Sequence, residues 1–272
     1  MTDQILPAWS EPFTTERRAG LARNLPFAAV DRAWAFDGST GRGMTVAIID
    51  SGVERDHPAV GGRLVQSVRV ELGDERPIVV DDPEAIDVVG HGTACAGIVH
   101  GLAPEAAIVS IRVLGPDNRG KGAVFAAGLD WAIEHGADVV NLSLSSKSDA
   151  LFAIFHELAD AAYFANVLLV SAANNVPGPS YPSLFASVVS VAAHDVADPW
   201  TWFYNPSPPV EFGAYGLDVD VAWRDGGRIF ATGNSFAAPH VAGLATLIRA
   251  KHPEVKPFEV KAILAATATP IG

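Results

Sequence analysis

The chain has 272 residues, of which 49% are hydrophobic and 18% are charged, and 19 Lys and Arg against 31 Asp and Glu give a formal net charge of −12. This length suffices for one large hydrophobic core, and the composition excludes a disordered tail or a charged coiled coil. The acidic balance argues against a nucleic-acid partner, which needs a basic face. Cys95 is the only cysteine, so no internal disulfide can form.

The first residues, MTDQILPAWSEPF, include acidic, proline and aromatic residues. A signal peptide instead needs a basic start followed by an apolar run. No stretch reaches the ~18 uninterrupted apolar residues that a membrane helix requires. Together with the lone cysteine, these features predict a cytoplasmic protein that binds neither membrane nor nucleic acid. The sequence leaves the oligomeric state open.

We predict that residues 1–25 are an N-terminal extension and that residues 26–272 form one domain. Continuous apolar, β-branched runs predict buried strands at residues 44–50, 107–114, 137–144, 166–173 and 187–193. Helical spacing predicts helices at residues 127–136, 151–165, 236–250 and 256–267. This alternation predicts an α/β fold, a three-layer sandwich with a mostly parallel central sheet. The acidic residues 71–87 are expected to be a solvated loop.

Three short motifs fall at the carboxyl ends of predicted strands or at the starts of predicted helices, where such sheets place their active sites. Asp50 ends the first buried strand and precedes a Ser-Gly turn. His91 stands between two glycines and opens a helix of small residues. Ser235 lies at a helix N-terminus, where backbone N–H groups and the helix dipole can stabilise an oxyanion. Each motif alone also has a structural explanation, such as a helix cap or a core histidine.

Together the three motifs resemble those of the subtilisin-like serine proteases, the subtilase family. The resemblance spans about residues 27–268 and rests on IIDSGV at residues 48–53, HGTACAGI at 91–98 and GNSFAAPHVAG at 233–243. The chain order Asp, His, Ser is the one known for subtilisin. The resemblance implies a subtilisin-like fold and a serine endopeptidase that hydrolyses peptide bonds with Asp50, His91 and Ser235 as its triad.

By the same resemblance, Ser235 attacks the peptide carbonyl to form an acyl-enzyme, His91 moves the proton and Asp50 orients the imidazole. The oxyanion hole would consist of the Ser235 backbone N–H and the Asn175 side-chain amide. An extended protein or peptide substrate would pair with two backbone segments. One segment is Gly120, Lys121 and Gly122, and the other is Ser143, Leu144 and Ser145. Ser180 is expected to line the pocket for the residue before the cleaved bond.

Two residues beside this site depart from the family pattern. Asn174 replaces a glycine, and Asn tolerates a left-handed backbone better than other non-glycine residues, so the site can survive this change. Asn234 replaces a threonine and so removes a hydroxyl near the oxyanion, for which an amide could substitute; we expect slower chemistry but not its loss. Cys95, one helical turn after His91, is expected to be a small core residue buried beneath it.

The asparagine-rich calcium loop of many relatives is missing after the His91 motif, so we expect neither an organic cofactor nor an obligatory metal. A weak calcium or other cation site at the acidic stretch stays open. So do two alternative functions, a protease dedicated to maturing one precursor of a ribosomal-peptide pathway and a catalytically weak subtilase-like binding domain. Residues 5–9, ILPAW, are a candidate self-inhibitory segment.

Overall fold

The computed structural model describes residues 29–207 and 209–270, and a large β-sheet forms its centre. The strands are β1 (Thr45–Asp50), β2 (Leu64–Leu72), β3 (Pro77–Asp81), β4 (Ala107–Arg112), β5 (Val139–Leu142), β6 (Leu168–Ala172), β7 (Val189–His194), β8 (Trp202–Tyr204), β9 (Phe212–Tyr215), β10 (Val219–Trp223) and β11 (Gly227–Ala231). Nine of them make one sheet in the order β3-β2-β4-β1-β5-β6-β7-β9-β8. Its edge pairs, β2–β3 and β8–β9, are antiparallel and its inner pairs are parallel, which confirms the predicted sheet type.

Helices cover both faces of this sheet. They are α1 (Arg32–Phe36), α2 (His91–Leu102), α3 (Gly122–Glu134), α4 (Phe152–Phe164), α5 (Asn234–Lys251) and α6 (Pro257–Ala266). Helices α3 and α4 pack on one face, and α2, α5 and α6 pack on the other. The three-layer α/β sandwich predicted from the sequence is therefore confirmed.

The central strand β1 shows why its sequence is a continuous apolar run. Val46 and Ile48 point into the core shared with α2 and α5, whereas Ala47 and Ile49 point into the core shared with α3 and α4. A strand that is buried on both faces needs an apolar residue at every position. The other predicted strands, which become β4 to β7, agree with the structure to within about two residues for the same reason.

The prediction of a solvated loop at residues 71–87 is wrong. Strand β2 ends within this stretch and β3 lies inside it, forming the antiparallel edge of the sheet. The carboxylates of Asp82 and Asp87 are only 3% and 8% exposed. Arg112 donates to Asp82 at 3.1 Å, so an ion pair offsets part of the desolvation cost of that charge.

Several predictions concern residues beyond those described. The extension at residues 1–25, the domain boundary at residue 26 and the candidate self-inhibitory residues 5–9 lie outside the described residues. Within the described part of the chain, no helix is both long and apolar enough to cross a membrane.

Candidate active site

Asp50 and His91 form a buried hydrogen-bonded pair where β1 ends and α2 begins. His91 Nδ1 lies 2.8 Å from Asp50 Oδ1 and 2.9 Å from Oδ2, and the two residues are 7% and 0% exposed. A carboxylate can only accept, so Nδ1 carries the proton of this bond. The neutral ring is therefore held with its second nitrogen, Nε2, as a proton acceptor.

Gly92 sets the distance between the helix α2 and the strand β1. A Cβ atom at this position would lie 2.0 Å from the Gly52 carbonyl oxygen and 3.1 Å from the Asp50 Cβ. No residue with a side chain fits there without moving the backbone. The glycine after His91 thus allows the approach that brings the imidazole to the carboxylate.

Asp87 fastens the same two elements together. Its carboxylate accepts hydrogen bonds from the Ser51 hydroxyl at 2.8 Å, from the backbone N–H groups of Val89, Gly90 and Thr93, and from the Thr93 hydroxyl. The N-cap residue of α2, Gly90, has no side chain to cap the helix, so Asp87 satisfies its first N–H groups instead. Ser51 adjoins Asp50, so one carboxylate links the helix start to the strand end.

Ser235 lies in the first turn of α5, and its own carbonyl oxygen has unusual partners. The residue four positions later is Pro239, which has no N–H to donate to that oxygen. The oxygen accepts instead from the Ser143 hydroxyl at 2.7 Å and lies 3.7 Å from Cys95 Sγ. These contacts fasten the start of α5 to the end of β5 and to α2.

The side chain of Asn175 is held next to Ser235. Its Oδ1 accepts from the Asn234 backbone N–H at 2.9 Å, which leaves the Nδ2 group free to donate. A Cβ atom on Gly233 would lie 3.3 Å from Ser235 Oγ and 3.5 Å from Asn175 Nδ2. A glycine at 233 therefore keeps open the space that the hydroxyl and the amide share.

Cys95 lies beneath the Asp50–His91 pair and is fully buried, as predicted. Its sulfur is 3.9 Å from Asp50 Oδ2 and 4.0 Å from His91 Nδ1. Burial and the Asp50 carboxylate raise the pKa of the Cys95 thiol above its ordinary value. At neutral pH the residue is therefore a protonated thiol and a poor nucleophile.

The same carboxylate controls the protonation of His91. Burial lowers the pKa of His91, but the charge of Asp50, the neighbouring Cys95 and the hydrogen bond to Asp50 together outweigh burial and raise this pKa well above 6.5. The pair thus stabilises the imidazolium that forms when the ring accepts a proton.

His91 and Ser235 line one open cleft with a volume of about 580 Å³. Of the residues predicted from the sequence, Asn175, Gly120, Gly122, Ser143, Leu144 and Ser145 also line it. Lys121 and Ser180 do not: Lys121 is an exposed residue before α3, and Ser180 is 2% exposed behind the cleft wall. The expected pocket-lining role of Ser180 is therefore wrong.

The structure shows the conformation of both departures from the family pattern. Asn174 is not among the residues with left-handed backbone, so the position does not require glycine. The Asn234 side chain points away from the oxyanion space: Nδ2 donates to the Ala173 carbonyl at 3.1 Å, and Oδ1 accepts from the Ala193 N–H. Its amide joins α5 to β6 and β7 and does not replace a catalytic hydroxyl.

Three functional contributors have weak or no sequence signals. Asp87 lies within an acidic run, and only its position four residues before His91 indicates a helix cap. The sequence predicts Ser143 as a substrate contact, yet its hydroxyl donates to the Ser235 carbonyl. Pro239 is visible in the sequence, but the partner of the carbonyl it leaves free depends on the tertiary fold.

Within the described residues, one group of side chains is compact enough to hold a metal ion: Asp50, His91 and Cys95, whose ligand atoms lie within 4.8 Å of one another. The hydrogen bond of His91 to Asp50 already accounts for this arrangement. The absence of an obligatory metal or organic cofactor stays a prediction.

Comparison with known proteins places this site in a family. Residues 41–272 match the model of the Subtilase family. Subtilisin BL of Lederbergia lenta is 32% identical over 246 residues, which cover 86% of this chain and 87% of that protein. The Thermostable alkaline protease of Halalkalibacterium halodurans is 30% identical over 86% of this chain, but the match spans only 64% of that longer protein.

A solved structure is similar as well. The crystal structure of a cold adapted subtilisin-like serine proteinase superposes with a TM-score of 0.70 at 28% sequence identity. The superposition covers 84% of this chain and 83% of that one. The similarity thus extends over most of both folds.

Replacing Asp87 by alanine should destabilise the protein. The variant D87A leaves buried N–H and hydroxyl donors without their acceptor, so we expect the free energy of unfolding to fall by about 2–4 kcal/mol. Urea unfolding of the variant and the wild type measures this. The control D160A removes an exposed carboxylate from α4 and should change stability by less than about 0.5 kcal/mol. Equal stability of D87A and D160A would contradict the role given to Asp87.

Proposed function

This chain belongs to the subtilase family and is a serine endopeptidase, and from this premise we propose that Asp50, His91 and Ser235 are its catalytic triad. The observation that carries the proposal is the buried His91–Asp50 hydrogen bond at the edge of the cleft that Ser235 lines. The reaction is hydrolysis of a peptide bond through an acyl-enzyme on Ser235.

In the first step, Ser235 Oγ attacks the peptide carbonyl and His91 Nε2 accepts the hydroxyl proton. Among the described residues, Ser235 Oγ has no hydrogen bond to His91; such contacts are often long without substrate and tighten when it binds. His91 then gives the proton to the leaving amine, and Asp50 stabilises the imidazolium in between. Water hydrolyses the acyl-enzyme by the same steps.

The negative charge on the attacked carbonyl oxygen is stabilised by two donors, the Ser235 backbone N–H and Asn175 Nδ2. The first helical turn of α5 supports this role, because its N-cap residue Gly233 offers no side chain that would occupy the N–H groups. The bond from the Asn234 N–H to Asn175 Oδ1 orients the amide before substrate arrives. A donor that is already oriented needs no rearrangement during the reaction.

Substrates are proteins or peptides bound in extended form between residues 120–122 and residues 143–145. Gly120, Gly122 and Ser143 to Ser145 line the cleft on its two sides, which supports this assignment. Backbone pairing accepts any sequence, so side-chain selection must come from the cleft walls. A binding domain without activity is disfavoured, since the proposed triad and the Asn175 amide are all present. No observation favours dedication to one precursor peptide, and a cytoplasmic location stays a prediction.

A fluorophosphonate probe tests the proposed nucleophile. We expect stoichiometric labelling of Ser235, located by mass spectrometry, because only an activated serine hydroxyl reacts with this probe. The variant S235A should not be labelled, and H91A should react far more slowly. A folded wild-type sample that stays unlabelled, or labelling at another serine, would refute the assignment.

Loss of the side-chain amide tests the oxyanion hole. In N175A we expect kcat to fall by about 10²–10³ with little change in KM, the magnitude known for such a donor in subtilisin. The variant N205A removes an exposed amide from the loop before β9 and serves as the matched control. A decrease in kcat of less than about threefold for N175A would show that the amide does not act in the transition state.

The pH dependence of kcat/KM tests the coupling of Asp50 to His91. His91 must be neutral to accept a proton, so activity should rise with pH through its raised pKa, with a midpoint above 6.5. In D50N burial acts without the opposing charge, so the midpoint should move to lower pH, while kcat falls by about 10⁴. An activated ester substrate makes this residual activity measurable. The surface variant D225N should keep the wild-type midpoint, and an unshifted midpoint in D50N would contradict the coupling.

A further inference from the structure

The cleft continues from Ser235 as a trough between two chain segments. One wall is formed by residues 143–146 after β5, and the other by residues 172–176 after β6. On the proposed function, Ser235 Oγ and Asn175 hold the attacked carbonyl at the head of this trough. The side chain of the residue that carries this carbonyl, called P1 below, therefore enters between the two walls.

The side chain of Asn174 lies across this trough and is fixed there. Its Oδ1 accepts from the Val176 N–H at 2.9 Å, so the amide cannot rotate freely. Its Nδ2 points to the opposite wall, where it lies 3.5 Å from Ser145 Oγ. The Asn174 amide and the Ser145 hydroxyl are thus the groups through which the two walls approach each other.

Ser180 and Ser183 lie outside the trough. The Ser180 hydroxyl accepts from the Asn174 backbone N–H at 3.3 Å and lies 2.8 Å from Ser183 Oγ. Ser180 and Ser183 are 2% and 1% exposed, and neither lines the cleft. The backbone of Asn174 therefore stands between these hydroxyls and the trough, and the Asn174 side chain is the polar group that faces a substrate from this wall.

The walls of the trough are uncharged and combine polar with small or apolar side chains. Their side chains are those of Ser143, Leu144, Ser145, Ser146, Ala172, Ala173, Asn174, Asn175 and Val176. The cleft-lining Arg119 belongs to the segment before α3 and to neither wall. A charged P1 side chain would lose water without gaining an opposite charge. A long aromatic side chain would have to displace the Asn174 amide.

We propose that Asn174 and Ser145 determine the substrate class of this enzyme: peptides with a short, uncharged P1 residue such as Ala or Ser. This inference rests on the proposed function, since it needs Ser235 as the nucleophile. Asn174 and Ser145 act as specificity-determining residues, and the cut occurs after the short residue.

Peptides that differ only at P1 test the proposal. For the wild type we expect kcat/KM to be at least about tenfold higher with Ala than with Phe, Leu or Arg. In N174G, the Phe-to-Ala ratio of kcat/KM should rise by about tenfold, because the amide no longer closes the trough. N174A, which keeps the Cβ atom, should change the ratio in the same direction, and S145G should do so to a smaller extent.

Asn118 offers the matched control. It lines the same cleft from the segment before α3 and has a left-handed backbone with φ 57°, so glycine fits there without strain. The variant N118G should leave the Phe-to-Ala ratio within twofold of the wild type. A wild-type preference for Phe or Leu, or an unchanged ratio in both N174G and N174A, would overturn the proposal.

Fluorophosphonate labelling separates this proposal from the proposed function. Labelling of Ser235 together with an unchanged P1 ratio in the Asn174 variants rejects only the role of Asn174. A folded wild type that neither labels nor cleaves any peptide rejects the triad itself. If N174G fails to label because it does not fold, N174A and S145G decide the question.

Discussion

The hydrogen bond that the Ser235 carbonyl oxygen accepts joins helix α5 to the end of strand β5 at the active site. Pro239 leaves this oxygen without its helical donor, and Ser143, 92 positions earlier in the chain, supplies one from the end of β5. A buried carbonyl that finds no partner is costly, so the contact defines how far α5 can slide along the sheet. Together with the Asn234 amide, which joins α5 to β6 and β7, this contact holds the Ser235 hydroxyl beside the wall formed by residues 143–146.

A second set of hydrogen bonds, made by Asp87, positions Asp50 and His91. Asp87 brings the start of α2 to the turn after β1, while Gly92 allows the two backbones to approach. The chain is acidic overall, yet Asp50 and Asp87 are buried and accept hydrogen bonds from neighbouring N–H and hydroxyl groups. These donors replace the water that burial removes, and the charge of Asp50 contributes to the raised pKa of His91. The buried Asp50 charge thus acts on the protonation of His91, an effect that water would weaken at the surface.

The sequence predicted the central fold because buried parallel strands leave continuous apolar runs, as in β1, and it identified the residues proposed as the triad through their motifs. It did not predict the edge strands β2 and β3, whose polar faces resemble a loop. It identified Asn174 as a departure but not its conformation, since a residue's identity reveals neither its backbone angles nor the direction of its amide. The roles of Asp87 and of the Ser143 hydroxyl arise only when distant segments meet, and no local pattern encodes such contacts.

The order of the elements along the chain determines when the residues of the proposed site are made and brought together. Asp50 and His91 come from the first half of the chain, whereas Ser235 arrives on α5, which inserts against the sheet near the C-terminus. The strands β1 to β11 and the helices α1 to α4 precede α5 in the chain, so Ser235 is made after the sheet that supports it. The proposed triad is complete only when α5 has packed against that sheet beside Asp50 and His91. Formation of the site is thereby coupled to formation of the core on this face of the sheet.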